Sequence, residues 1–199
     1  MRPRSGRSGR GSLRAPRYPR LVGAPDAIGP VVGWRTWRVR DSGEGLVLAS
    51  TAFPTPWPRR CPLRARCAAR PHSAPTAECV CGVHAAREPG LPIEYLPPHV
   101  RASEGFRTPA ILGYDTVMAL GRVALWGRVV DCEWGWRAEL AYPAELLVPA
   151  GVKHYRRACG RLAVLDSQAL ADALASRYGI PVRVTRSVRP AELLELAAA

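Results

Sequence analysis

The sequence is short of lysine and phenylalanine and has no long apolar run, and each shortage excludes something. Lys153 is the only lysine among the 29 basic residues. Alongside many alanines, glycines and prolines, that preference for arginine reads as the codon bias of a GC-rich genome, not as selection for a ligand. No stretch approaches the roughly 20 apolar residues that cross a bilayer. The basic beginning is not followed by an apolar h-region, so a secretory signal is not expected and the address is taken as cytoplasmic. No internal repeat is visible. A Gly-rich phosphate loop, G-x-S-x-G, GxGxxG after a strand and HExxH are all missing, which removes the usual sequence grounds for an enzyme.

What is present suits one domain. A chain of 199 residues with 47% hydrophobic residues and a mean hydropathy of -0.10 can bury one substantial core. The net charge of +13 is unevenly spread. Residues 1–20 carry seven arginines and no acid, which leaves +6 for the remainder. Residues 1–30 are rich in Arg, Gly, Ser and Pro and offer little to bury, so a disordered tail is expected there. Tails of this kind can follow a nucleic-acid backbone, or they can be plain extensions.

From Val31 the pattern turns to ordered structure, and 31–186 reads as a single α+β domain. VVGWRTWRV (31–39), the turn DSGEG (41–45) and LVLAS (46–50) make a hairpin. Residues 51–62 hold four prolines and exclude regular structure. One or two helical turns are expected in CPLRARCAAR (61–70), and a short helix in GVHAARE (82–88). TVMALGRVALWGRVVDCE (116–133) reads as one central strand or two, with Gly121 and Gly127 marking bulges or a bend. WGWRAELAY (134–142) alternates as a strand that Pro143 should end. SQALADALASRYG (167–179) is an amphipathic helix capped by Asp166 or Ser167 and stopped by Gly179. IPVRVTR (180–186) returns as a strand, and 187–199 as a helix or tail. The expected fold is a mainly antiparallel sheet with one or two packed helices and a loop-rich Cys/His segment.

That segment is the strongest chemical signal. Cys61, Cys67, His72, Cys79, Cys81 and His84 place six ligand-type residues within 24 positions. A zinc site needs four soft or borderline ligands brought together by local turns. The preferred quartet is Cys67, His72, Cys79 and Cys81, with Cys61 and His84 in reserve. Three thiolates and an imidazole saturate the ion, so the zinc would be structural. Two other readings compete: small buried hydrophobes, and a redox pair formed by Cys79 with Cys81 or Cys61 with Cys67.

Six tryptophans against two phenylalanines are the other unusual feature. Core packing explains them most simply, because Trp134 and Trp136 share a stripe with Ala138, Leu140 and Tyr142. Exposed, they would stack bases or cage a ligand, and Trp134, Trp136 and Arg137 are the candidate groove. Arg137 and Glu139 on the opposite side read as members of cross-strand ion pairs. Asp115, Asp131 and Glu133 match no catalytic dyad or triad, and His99 and His154 fall in polar loops.

GWRTWRV (33–39), HSAPTAECVCGVHA (72–85) and GRVALWGRVVDCEWGWRAELAYP (121–143) together resemble, in order and spacing, a family of small bacterial proteins of uncharacterised activity. Its members share a Gly-Trp-Arg-x-Trp start, a Cys-x-Cys-Gly core and a Trp-Gly strand ending in Arg-Ala-Glu-x-Ala-Tyr-Pro. The resemblance implies one domain and imports no activity. The leading functional expectation is a non-enzymatic binding or adaptor module braced by structural zinc, with an unidentified protein partner or nucleic acid and no membrane. The alternatives are a nucleic-acid-binding protein using the Arg-rich tail, Arg59–Arg70 and exposed tryptophans, and a metal- or thiol-dependent enzyme.

Overall fold

Two long hairpins carry the architecture. In the computed structural model, residues 29–51, 55–94, 117–151, 154–158 and 161–186, with Ala191 and Leu193, are described. The expected tail at 1–30 therefore lies almost wholly outside the described residues, as does most of 187–199. Strand β1 (Val31–Ser42) turns through Gly43 and Glu44 into β2 (Gly45–Ser50), in register from Ser42↔Gly45 to Trp37↔Ser50. Strand β5 (Val117–Cys132) turns through Glu133 and Trp134 into β6 (Gly135–Pro149). β5 also lies against β1, pairing Val31 with Leu125 through to Val39 with Val117.

The free edge of β6 is covered by three short strands laid end to end. β4 (Val83–Ala86) pairs with Gly135–Ala138, β3 (Leu63–Arg64) with Leu140 and Ala141, and β9 (Val182–Thr185) with Leu146–Pro149. β4 also meets β1 at Trp34↔Ala86, so the path β1-β5-β6-β4 returns to β1 and the sheet closes on itself. The β6–β9 pair is parallel and the other pairs are antiparallel, so the α+β expectation stands with a mixed sheet. A five-residue helix α1 (Gly90–Glu94) follows β4. A separate hairpin, β7 (His154–Ala158) and β8 (Arg161–Leu165), leads into helix α2 (Ser167–Tyr178). His154 thus begins a strand, where the sequence reading had a loop.

Helix α2 is the element the sequence places best. Asp166 accepts the Ala169 N–H at 2.8 Å as N-cap, and Gly179 closes the helix in the left-handed conformation (φ 66°). Its stripe of Leu170, Ala171, Leu174 and Tyr178 is buried against Trp37, Leu48, Trp57 and Leu125. Trp37 and Trp57 meet edge to face at 5.5 Å. The Tyr178 hydroxyl accepts the Leu48 N–H at 2.8 Å and donates to the Trp57 carbonyl at 3.2 Å, tying helix, hairpin and proline-rich segment together. A smaller cluster of Trp34, Met118, Leu120 and Leu147 with Leu193 fills the opposite face.

Three expectations are corrected. Residues 82–88 contain strand β4 in place of a helix: Val83 and Ala85 are buried while His84 between them is exposed, the period of two that a slot between two strands demands. Residues 61–70 contain β3 and irregular chain in place of helical turns, with the Ala65 N–H bonded to the Glu139 carbonyl at 2.8 Å. Pro143 does not end β6. It sits beside an irregularity where the register passes from Arg122↔Glu145 to Val123↔Pro143 and skips Ala144, a position that tolerates a missing N–H. Gly127 marks a bulge as expected, while Gly121 keeps regular register and permits a close approach of β5 to β6. Gly127 takes φ 73° within a second register shift, and a Cβ on Gly121 would come within 2.0 Å of the Glu145 carbonyl oxygen.

Candidate metal centre

The loop that carries the Cys/His cluster leaves and rejoins the sheet at neighbouring points. Arg64 pairs with Leu140 and Val83 with Ala138, two residues apart on β6. The neck of the loop 65–82 is therefore about 7 Å wide. Chain order alone thus confines the ligands, and the sheet sets where the loop hangs. Gly82 closes it at φ 127°, with its α-carbon pressed so close to Arg137 that a Cβ would meet that side chain's Cβ at 3.0 Å.

Within the loop, one donor atom each from Cys67, His72, Cys79 and Cys81 lies within 4.8 Å of every other. The Cys67 and Cys79 sulfurs are 3.7 Å apart, and the Cys81 sulfur is 3.8 Å from His72 Nε2. A tetrahedral ion with bonds of about 2.3 Å to sulfur and 2.0–2.1 Å to nitrogen spaces its ligands about 3.8 Å (S···S) and 3.6 Å (S···N) apart. These two separations match that spacing and are far longer than a disulfide bond, and the full set of four donors stays within 4.8 Å. The described cysteines, Cys61, Cys67, Cys79, Cys81 and Cys132, are all free thiols. His72 Nδ1 lies 3.2 Å from the Ser73 carbonyl. That contact fixes the proton on Nδ1 and leaves Nε2 as the donor, the usual outer-shell arrangement of a metal-bound imidazole. A hydrogen bond from the Cys81 backbone draws the Cys79 thiol below its ordinary range, while burial pushes the Cys81 thiol up.

Two arginines from the sheet hold this loop by its carbonyl groups. The Arg137 side chain, 5% exposed, donates from one guanidinium nitrogen to the carbonyls of Thr76 (3.3 Å), Cys79 and Cys81 (3.1 Å). Its Nε lies 3.2 Å from the Cys132 sulfur. Arg128 donates to the Ser73 and Pro75 carbonyls, both at 3.3 Å. Sequence reasoning did not find these roles. The arginines are separated from the loop by more than 50 residues, and no local spacing signals a guanidinium aimed at main-chain carbonyls.

The remaining candidates are placed elsewhere. Cys61 is exposed outside the quartet, and His84 Nε2 lies 2.8 Å from the Val80 carbonyl. The three groove candidates have separate surroundings. Trp134 is 65% exposed at the β5–β6 turn, the Trp136 ring lies under the Arg87 guanidinium at 4.5 Å, and Arg137 is buried beneath the 65–82 loop. Glu139 pairs with Arg64 on β3, and Asp131 with Arg87. Asp115 and His99 lie outside the described residues.

Comparison with protein-family models, with curated proteins and with solved structures finds no match for the chain. The site has to be read from its own chemistry. Four convergent donors, three of them thiols, could hold a metal ion. Among the described residues no helix is long and apolar enough to cross a membrane.

Proposed function

We propose that Cys67, His72, Cys79 and Cys81 hold a structural zinc ion, and that the domain it braces is a non-enzymatic binding or adaptor module. The observation that carries this reading is the donor spacing of 3.7 and 3.8 Å, set by a loop whose main chain is already clamped by Arg128 and Arg137. Thiolate with imidazole suits zinc and excludes magnesium or calcium, which take oxygen ligands. Four protein ligands leave no open position for a substrate or a reactive water, which favours bracing over catalysis. A Cys₃His zinc centre carries one net negative charge, and Arg137 beneath it with Arg70 beside Cys79 offsets that charge. Free thiols throughout the described chain suit a reducing, cytoplasmic compartment.

Metal analysis of the purified protein tests the brace. The expected result is one equivalent of zinc per chain, with removal by a chelator opening 65–82 to hydrogen exchange and protease. Less than about half an equivalent, with protection indifferent to chelator, would sink it.

A further inference from the structure

We infer that the face formed by residues 59–72 and β6 binds single-stranded nucleic acid, with a base stacked in an aromatic cleft and the neighbouring phosphate held by arginines beside the metal loop. The observation is a pair of clefts flanking β3. On one side is a cleft of about 540 Å³ walled by Trp126 and Tyr142, with the buried Tyr178 beneath them and Arg60 at its rim. On the other is a cleft of about 280 Å³ lined by Arg64, Arg66, Arg70, Cys67 and His72, with Glu139 as its acid. Tyr142 and Glu139 stand three residues apart on β6 and so project to opposite faces of the strand; the clefts lie about 10 Å apart along it, and a nucleic-acid strand joining them passes over β3.

The chemistry of the two clefts is complementary to one strand. Trp126 is partly buried and belongs to neither core cluster, so part of its ring is left to line the cleft. The Tyr142 hydroxyl donates to the Tyr178 carbonyl at 2.7 Å, which fixes the opposite wall. Arg60 holds a left-handed backbone (φ 52°) beside that wall, a strained conformation of the kind kept where side-chain direction matters. Arg59, Arg60, Arg64, Arg66 and Arg70 are all exposed, and no acidic residue occurs from 59 to 77. Aromatic platforms alternating with cations at this spacing accept a base and a phosphate of any sequence. A duplex keeps its bases paired and would leave the aromatic cleft empty. An acidic peptide would have nothing to stack.

The proposal rests on the zinc reading only in that the metal holds residues 65–72 in place. The test is fluorescence anisotropy of the full-length, metal-replete protein with labelled 12-mers of oligo-dT and oligo-U, across a salt series. Arg60→Ser with Arg66→Ser takes one cation from each cleft and should flatten the slope of log affinity against log salt by about 1.4, at about 0.7 per phosphate contact. Trp126→Leu should weaken binding about 5- to 150-fold and leave that slope unchanged. The seven arginines of residues 1–20 could bind polyanions unaided, in which case both variants match the wild type and the proposal falls. Equal affinity for duplex, full competition by a mononucleotide, or indifference to Trp126→Leu alone would overturn it as well. Zinc content measured on each sample keeps the two readings apart: zinc-free protein that still shows both effects defeats the brace alone, and zinc-loaded variants that bind normally defeat the nucleic-acid face alone.

Discussion

Replacing Arg137 by alanine is the sharpest probe of how the sheet positions the metal loop. The substitution removes the donor to three carbonyls, those of Thr76, Cys79 and Cys81, and the contact with the Cys132 sulfur. An acceptor left unsatisfied in a buried position costs about 1–3 kcal/mol. Three at the lower bound, where water at the loop edge recovers part of the loss, give about 3 kcal/mol. Part of this should appear as metal affinity. Two of the three carbonyls belong to ligand residues, and outer-shell partners are typically worth 10- to 100-fold in affinity. By linkage, the metal-loaded protein should then lose about 1.4–2.8 kcal/mol more than the metal-free protein. Denaturant unfolding in both states, with a competitive chelator titration, measures the two quantities independently. Arg137→Lys keeps the charge and a single donating nitrogen but is shorter and lacks the Nε contact with the Cys132 sulfur, so it should fall between wild type and alanine. Equal destabilisation of both states with unchanged zinc affinity would refute the positioning role and leave Arg137 as a packing residue.

Other outcomes follow from the same geometry. Tyr178→Phe strips a buried hydroxyl from the Leu48 N–H and the Trp57 carbonyl and should cost about 1–3 kcal/mol in denaturant unfolding without altering zinc content. Gly121→Ala would force a Cβ to 2.0 Å from the Glu145 carbonyl oxygen, so the β5–β6 ladder must part and the thermal midpoint should fall steeply. Zinc held by the quartet, as proposed, would depress the thiol pKa values in the folded state. The stabilisation it gives is therefore present at neutral pH and lost as pH falls and the ligands are protonated, a loss followed by metal release in an acid titration.

The sequence by itself determined the local matters. The β1–β2 hairpin, helix α2 with its Asp166 and Gly179 caps, the bulge at Gly127 and the grouping of Cys67, His72, Cys79 and Cys81 were all legible, because each depends on residues near one another in sequence. Helical periodicity, turn chemistry and ligand spacing are short-range signals. The β7–β8 hairpin is the exception: HYRRA (154–158) and RLAVL (161–165) pair in register although their sequences show no clean alternation. Tertiary structure alone decided the rest. Residues 82–88 look helical until β6 and β1 offer them two edges to pair with, and Pro143 looks like a terminator until a register shift removes the need for its N–H. Arg137 reads as a solvated strand residue until the loop folds its carbonyls over it. The same holds for the clefts, one of which brings Trp126 and Tyr142 to residues 60–62 and the other Glu139 to residues 64–74. A quartet of ligands can be read from spacing, but what clamps it and what surface it presents depend on strand pairing across more than 50 residues, for which a linear sequence carries no local signal.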